Sequence, residues 1–226
     1  MSLSRNCIVL YYGGGVAVER YYLNYTSISS EEQKAYYDSI KIFLNKLVKE
    51  YCGFRDWYNN LFVSGYNLKC SREIILCISH FQIAGIIILK KTVTERKICT
   101  LRVKDEFQHH GIGRALIEKG LEWLNCEKPL VTVRKAKEKE FLPLFNYYGF
   151  CLEETKWNYY KPFCTELVFN GSLPDRTVAG FVSKVFCDYI IKLAVPNGYS
   201  YSSTKNILVP KSILLSLYDN KLPILR

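Results

Sequence analysis

The sequence has no long apolar run. The longest, Ile83–Leu89, has the length of a strand and falls well short of the roughly 20 residues that cross a bilayer. The first residues also lack a charged segment followed by an apolar block and a small-residue cleavage site. We therefore expect no membrane span, no signal peptide and a cytoplasmic protein.

Closely spaced cysteines are missing as well. The nine cysteines include no C-x-x-C pair, and their number is odd. A zinc site would need tighter spacing of its ligands. Several cysteines, such as Cys77 and Cys99, lie inside apolar runs. This pattern predicts buried free thiols in a reducing compartment and no metal site.

The composition is otherwise that of a globular protein with an excess of positive charge. Hydrophobic residues make up 49% of the 226, which suits one large domain, or one domain and a modest extension. The net charge of +10 favours anionic partners. Because a phosphate-bearing cofactor and a nucleic acid both fit, the charge alone does not decide between them.

Hydrophobic periodicity gives the order of the elements. We predict strands at Asn6–Tyr12, Glu73–Ile78, Ile83–Lys91, Lys97–Lys104, Pro129–Arg134, Phe150–Thr155 and Tyr159–Phe169. We predict helices from a capping box of Ser30 and Gln33 to Tyr51, and at Phe54–Phe62, Ile112–Asn125 and Glu138–Tyr148.

The end of the chain has a different character. Helical spacing at Pro174–Ala194 is followed by a stretch of Gly, Ser and Tyr and by an apolar piece, Ile213–Tyr218. We therefore predict one domain over residues 1–170 and a C-terminal extension, 171–226, that packs on it.

A glycine-rich turn between a strand and a helix is the feature with the clearest chemistry. It reads Gln108-His109-His110-Gly111-Ile112-Gly113-Arg114-Ala115. The first turn of a helix has main-chain N–H groups without partners and the positive end of the helix dipole. Glycines let the backbone approach a phosphate, and an arginine adds a cation. The turn therefore predicts an anion site.

Two common nucleotide motifs do not fit this turn. A P-loop ends in Gly-Lys-Ser or Gly-Lys-Thr, whereas Gly113 is followed by Arg114 and Ala115. A dinucleotide fingerprint needs a third small residue, where this chain has Leu116, and an acid after the next strand, where it has Arg134.

The pattern Leu101-x-Val103-x-x-x-x-Gln108-x-x-Gly111-Ile112-Gly113 resembles the coenzyme A signature of the GNAT superfamily of N-acetyltransferases. A second mark of that family, an aromatic residue and a Gly-Phe pair ending the next helix, is similar to Leu144–Phe150. The resemblance covers about residues 30–170. It implies an α/β fold with a mixed, largely antiparallel sheet and helices on both faces, followed here by the C-terminal extension.

The resemblance also implies a cofactor, acetyl-CoA, and the residues that bind it. The main-chain amides of the turn would hold the pyrophosphate: His109, His110, Gly111, Ile112, Gly113 and Arg114. Gln108 would brace the turn. The backbone of Leu101, Arg102 and Val103 would pair with the pantetheine arm, beside the point where the sheet splays apart.

The sequence departs from the family where the acid and base are concerned. Many members carry a tyrosine four residues before the Gly-Phe glycine, where this chain has Phe145. Tyr148 is our candidate acid, with a core tyrosine as the alternative. Glu73 is our candidate base, with a solvated strand end as the alternative. Asp105 stands where many members have proline, which bears on the shape of the loop.

The resemblance implies transfer of an acetyl group to a primary amine of a small molecule or a protein. Two alternatives stay open. The basic run Arg134–Lys139 and the net charge fit an acceptor amine linked to RNA, such as aminoacyl-tRNA, although a solvated loop explains the run equally well. Phe145 fits a module that binds coenzyme A without catalysis. The sequence does not predict the acceptor or the oligomeric state.

Overall fold

The structure is a computed structural model and describes residues 6–12, 16–51, 53–61, 70–161, 163–174, 199–202 and 207–210. The strands are β1 (Asn6–Tyr12), β2 (Val16–Asn24), β3 (Cys70–Ser79), β4 (Gln82–Thr92), β5 (Arg96–Val103), β6 (Leu130–Arg134), β7 (Leu152–Trp157), β8 (Thr165–Phe169), β9 (Tyr199–Ser202) and β10 (Ile207–Pro210). The helices are α1 (Ser30–Phe43), α2 (Asn45–Glu50), α3 (Phe54–Asn59), α4 (Ile112–Leu124) and α5 (Glu138–Tyr147).

Strands β1 to β8 form one sheet in the order β1-β2-β3-β4-β5-β6-β8-β7. Every neighbouring pair is antiparallel except β5 and β6, which run parallel. Helix α4 connects these two strands, as a parallel crossover requires. The predicted mixed, largely antiparallel sheet is confirmed.

Helices cover both faces of this sheet, as predicted. On one face, α4 and α5 contribute Leu116, Leu124 and Phe145 to a core with Ile87 and Leu89 of β4. The core on the other face includes side chains of α1 and α3 and the alternate residues of the same strands: Ile40, Phe54, Tyr58, Ile74, Leu76, Ile86 and Ile88. The long apolar runs of β3 and β4 therefore reflect strands that are buried on both sides.

Helix α4 lies unusually close to the sheet over Gly85 of β4. A Cβ atom at Gly85 would be 2.8 Å from Cγ2 of Ile112 and 2.9 Å from Cδ1 of Leu116. Real Cβ atoms do not approach other carbons so closely, so this packing requires glycine. The contact holds the first turn of α4 against the strand that pairs with β5.

The structure differs from the sequence analysis at four points near the N-terminus. Val16–Asn24 is strand β2, which the periodicity missed. The capping box of α1 is formed by Ser29 and Glu32, one residue earlier than predicted. The predicted long helix is broken at Leu44 into α1 and α2, and the next helix ends at Asn59 instead of Phe62.

Contacts between residues divide the chain into Met1–Leu173 and Pro174–Arg226. Within the second unit, β9 and β10 form an antiparallel pair. The predicted helical segment Pro174–Ala194 and the apolar piece Ile213–Tyr218 lie outside the described residues apart from Pro174, and the packing of the extension stays a prediction.

The described residues contain neither a candidate membrane-spanning helix nor a candidate metal-binding cluster. None of the helices there is both long and apolar enough to cross a membrane. The described His, Cys, Asp and Glu side chains form no group of three or more that would suit a metal ion. Among the described free cysteines Cys77 is buried and Cys151 is exposed, so the expected burial of thiols holds only in part.

Candidate cofactor and acceptor site

The sheet opens between β5 and β6. The two strands pair only at Lys97 with Leu130 and at Ile98 with Val131. Beyond these pairs β6 continues along β8, while the Leu101–Val103 segment of β5 pairs only with β4. The side of this segment that faces β6 therefore forms no ladder with it. Unpaired main-chain groups along a strand edge are suited to bind an extended ligand.

The glycine turn meets α4 at this opening. Gly111 is the N-cap residue, with φ of 78°, a left-handed conformation that favours glycine. No side chain caps the helix, and Ala115 is the first residue whose N–H reaches back to Gly111 O. The N–H groups of Ile112, Gly113 and Arg114 therefore lie in the uncapped first turn, where an anion is stabilised.

The two glycines of this turn have different surroundings. A Cβ atom at Gly111 would meet no atom within 4 Å. One at Gly113 would meet only Leu144 and Val103, each at an ordinary 3.8 Å. Packing within the protein does not require glycine at position 113. At Gly111 no protein atom stands in the way of a ligand, so the residues present are compatible with a phosphate there, and the pyrophosphate site stays a prediction.

Side chains on both sides brace the turn. Gln108 Nε2 donates to Asp105 Oδ1 at 3.3 Å and lies 3.5 Å from Val103 O. The His110 ring nitrogen Nδ1 lies 2.6 Å from Gln108 O. From β2, the buried Arg20 donates to His110 O at 3.0 Å. Sequence reasoning missed Arg20, because its partner is distant in the chain.

Cationic side chains on and near the turn contact aromatic rings or a carboxylate. The guanidinium of Arg114 lies over the ring of Tyr147, with Cζ 3.9 Å from the ring centroid. Arg102 lies over Phe43 at 5.4 Å, and Lys46 forms an exposed ion pair of 2.9 Å with Asp105. Hydrogen bonding to Lys46 holds the pKa of Asp105 below its usual value. The start of α2 is thereby tied to the end of β5.

The candidate acid, Tyr148, lies beside the first turns of α4. Its hydroxyl is 3.2 Å from both Arg114 O and Glu118 Oε1. Burial raises the pKa of Tyr148, and the nearby charge of Glu118 adds to the shift, so the hydroxyl stays protonated at neutral pH. Phe145 is buried in the core against Phe150 and Phe169 and has no proton to give.

The candidate base, Glu73, is buried at the start of β3, so the solvated strand end that the sequence allowed is wrong. Thr26 donates its N–H to Oε1 at 3.0 Å and its hydroxyl to Oε2 at 2.6 Å. Burial raises the pKa of Glu73, while the Thr26 hydrogen bonds oppose the shift. Both oxygens are therefore engaged in holding the segment that follows β2.

A second buried carboxyl group, Glu166 of β8, lies beside the opening of the sheet. In the antiparallel β6–β8 ladder it lies opposite Arg134 of β6, beyond the last residue pair that joins β5 and β6. Its side chain is fully buried, and neither oxygen has a hydrogen-bond partner among the described residues. Burial raises the pKa of Glu166 to about 7, and the positive charges of Arg134 and Lys97 oppose the shift. The only sequence signal was an acid within the apolar run of β8.

Two of the four basic residues in the run Arg134–Lys139 form ion pairs. Lys135 pairs with Glu138 at 2.8 Å. Lys137 lies 3.6 Å from a carboxylate oxygen of Glu50 and 3.5 Å from one of Glu140. These lysines connect α2 with the start of α5, and their pairing reduces the charge available to a phosphate backbone.

No protein-family model matches the chain, and no curated protein matches it. Solved structures do match. One, described as a streptothricin acetyltransferase from Bacillus anthracis in complex with acetyl coenzyme A, is 19% identical over 46% of this chain and 64% of its own, with a TM-score of 0.40. One described as a GNAT-family acetyltransferase from Desulfovibrio desulfuricans is 12% identical over 66% of this chain and 96% of its own, with a TM-score of 0.47.

The ribosomal-protein-S18-alanine N-acetyltransferase from Escherichia coli is 18% identical over 53% of this chain and 80% of its own, with a TM-score of 0.39. The chain spans less than two thirds of the first of these three proteins, and each likeness is one of fold. The strand order, the parallel β5–β6 contact and the glycine turn before α4 agree with the mixed, largely antiparallel α/β fold that the sequence analysis predicted.

Proposed function

We propose that this chain is an N-acetyltransferase that moves an acetyl group from acetyl-CoA to a primary amine. The observation that carries the proposal is the uncapped first turn of α4, with open space at Gly111, beside the Leu101–Val103 edge of β5 that pairs only with β4. An anion site and a strand edge in this order suit a cofactor with a pyrophosphate and an amide-containing arm. The structures of similar fold include acetyltransferases, one of them in complex with acetyl coenzyme A.

In this proposal the N–H groups of residues 109–114 bind the pyrophosphate, and Gln108 and Arg20 hold the turn in place. The main chain of Leu101–Val103 orients the pantetheine arm as a neighbouring strand would. When bound, acetyl-CoA supplies the activated acetyl group. We assign Tyr148 the role of giving a proton to the departing sulfur. Its hydroxyl keeps its proton at neutral pH, while burial and Glu118 raise its pKa and make it a weaker acid.

The first test is thermal unfolding with and without acetyl-CoA, with NAD and ATP as controls. A ligand at about 100 times its dissociation constant stabilises by roughly 2.7 kcal/mol, which for a domain of this size is a shift of about 5–10 °C. We expect this shift with acetyl-CoA alone. A chain that unfolds at the same temperature with and without it would contradict the proposal.

The variant Gly113→Glu locates the site. Its carboxylate would enter the space in front of the first turn of α4 and repel a pyrophosphate, so the shift with acetyl-CoA should disappear while the protein stays folded. Lys128→Gln is the matched control, because it changes the net charge equally at an exposed position beyond the other end of α4. Normal binding by Gly113→Glu would overturn the assignment of the turn.

Turnover then separates the alternatives. Formation of an acetylated amine by the wild type would exclude a module that only binds coenzyme A. A strictly RNA-linked acceptor would require RNA binding that weakens steeply with salt. Lys135 and Lys137 are engaged in ion pairs, which argues against an RNA-binding surface at the basic run.

A further inference from the structure

Glu166 is the one fully buried carboxyl group among the described residues whose two oxygens both lack a hydrogen-bond partner there. Buried polar groups are nearly always hydrogen-bonded, and a buried charge without a partner is costly. The other buried glutamate, Glu73, satisfies this rule through Thr26. The exception at Glu166 therefore points to a partner that the protein itself does not supply.

The position of Glu166 places this partner at the acceptor side of the opening. The residue faces Arg134 across β6 and β8, on the strands that part from β5 beyond Ile98 and Val131. Its charge also acts on Tyr51, the residue that ends α2: burial raises the pKa of Tyr51, and Glu166 adds to the shift. The carboxyl group thus lies between the parted strands and α2.

The charges around Glu166 come from several elements. Arg134 of β6 and Lys97 of β5 favour its ionised form, whereas burial and the neighbouring Glu50 of α2 favour its neutral form. One carboxylate oxygen of Glu50 is also buried without a hydrogen-bond partner among the described residues. The balance leaves the pKa of Glu166 at about 7, where a group can both accept and release a proton at neutral pH.

We propose that Glu166 is the general base that takes a proton from the ammonium group of the acceptor, with Glu50 beside it in the same acceptor site. This inference rests on the proposed function. It specifies the acceptor as a primary amine that arrives as a cation, because the unpartnered groups here are carboxylate oxygens. A protonated amine has no lone pair, so a base must act before attack.

The step balances as follows. The ammonium group gives one proton to the Glu166 carboxylate, and its nitrogen then forms a bond with the acetyl carbonyl carbon. The carbon–sulfur bond breaks, Tyr148 gives its proton to the sulfur and takes up the second amine proton, and Glu166 returns its proton to solvent.

The experiment compares the wild type with Glu166→Gln, Glu50→Gln and Glu73→Gln, and with Glu153→Gln as a matched exposed control. Acetyl-CoA binding is measured by thermal shift. Acetylation of spermidine, glycinamide and Nα-acetyl-lysine amide is followed by mass spectrometry between about pH 5 and 9. We expect Glu166→Gln to bind acetyl-CoA normally, to lose about 100-fold or more in kcat/KM, and to lose the acidic limb of the pH profile near pH 7.

Each outcome separates the two proposals. A wild type that fails to bind acetyl-CoA contradicts the proposed function itself. If the wild type binds acetyl-CoA and transfers the acetyl group, two results would overturn the assignment of Glu166 as the base. One is a Glu166→Gln variant that keeps either the wild-type rate or the acidic limb of the pH profile. The other is a folded Glu73→Gln variant that is the only variant to lose both the rate and the acidic limb. A wild type that binds acetyl-CoA but acetylates none of the three amines also overturns the assignment. A purely structural role for Glu166 would change stability and leave the pH profile in place.

Discussion

Arg20 on β2 donates a hydrogen bond from Nη1 to the main-chain oxygen of His110, at 3.0 Å, across 90 residues of sequence. The side chain is buried, so the bond is shielded from water. It fixes the turn that ends at Gly111 from the side opposite to Gln108. The conformation of the proposed pyrophosphate site therefore depends on a strand that the local sequence pattern did not reveal.

We predict that Arg20→Met leaves the fold intact but loosens this turn. Loss of a hydrogen bond from a charged group should cost about 1.5–3 kcal/mol of unfolding free energy, and a less ordered turn should weaken acetyl-CoA binding about 10-fold. Denaturant unfolding and calorimetric titration measure the two effects. Arg20→Lys, which keeps the charge, should recover part of each. Unchanged affinity in Arg20→Met would show that Gln108 suffices.

Gly85→Ala should separate α4 from the sheet. The new methyl group would contact Ile112 and Leu116 at less than 3 Å, so side chains or the helix must shift, at a cost of about 1–3 kcal/mol. Gly113→Ala is the matched control, since its methyl group has ordinary contacts at 3.8 Å. The control should keep its stability, or gain up to about 1 kcal/mol, as a helical glycine replaced by alanine does. Equal unfolding free energies for the two variants would contradict this account of Gly85.

Tyr148→Phe tests the proposed acid. Without the hydroxyl the departing sulfur has no proton donor at this point, and we expect kcat to fall about 10- to 100-fold with unchanged acetyl-CoA binding. Tyr147→Phe is the control, because it removes a neighbouring exposed hydroxyl and keeps the ring that stacks on Arg114. If both variants turn over at the wild-type rate, the thiolate leaves without help from the protein.

The local parts of the site were predictable and its long-range parts were not. The α4 helix, its glycine turn and the strand before it follow from residues close in sequence, and their predicted bounds agree with the structure to within one residue. Strand β2 was missed because Glu19 and Arg20 interrupt its apolar alternation, and its tyrosines gave no clear period. The antiparallel pairing of β2 with β3, which links segments far apart in the sequence, holds β2 in the sheet.

The sequence analysis named Glu73 as a candidate base without its surroundings and did not single out Glu166. Glu73 and Glu166 each begin or follow an apolar run, and both are fully buried. Thr26 donates hydrogen bonds to Glu73, whereas no described residue donates a hydrogen bond to Glu166. This difference arises from the contacts of segments that are distant in the sequence. The environment of a buried acid, which decides its chemistry, is a property of the folded sheet.

The titration of Glu166 also predicts how stability depends on pH. Its pKa rises from 4.5 to about 7 on folding, so the folded protein binds the proton more tightly than the unfolded chain. The resulting stabilisation is complete below about pH 4.5 and is lost as the pH rises through about 7, an overall loss of roughly 3 kcal/mol. Glu166→Gln cannot ionise, so its unfolding free energy should exceed that of the wild type increasingly from pH 5 to pH 8.

Denaturant unfolding of the wild type, Glu166→Gln and the exposed control Glu153→Gln across this range measures the difference directly. The pKa of Glu73 is also raised, so its ionisation also lowers the unfolding free energy as the pH rises. Subtracting the unfolding free energies of two variants removes this contribution, because both variants contain Glu73. A constant difference at all pH values would mean that Glu166 ionises normally in the folded protein. Such a carboxylate would already be fully ionised at neutral pH, and an acidic limb near pH 7 in the rate of acetyl transfer would then need a different group.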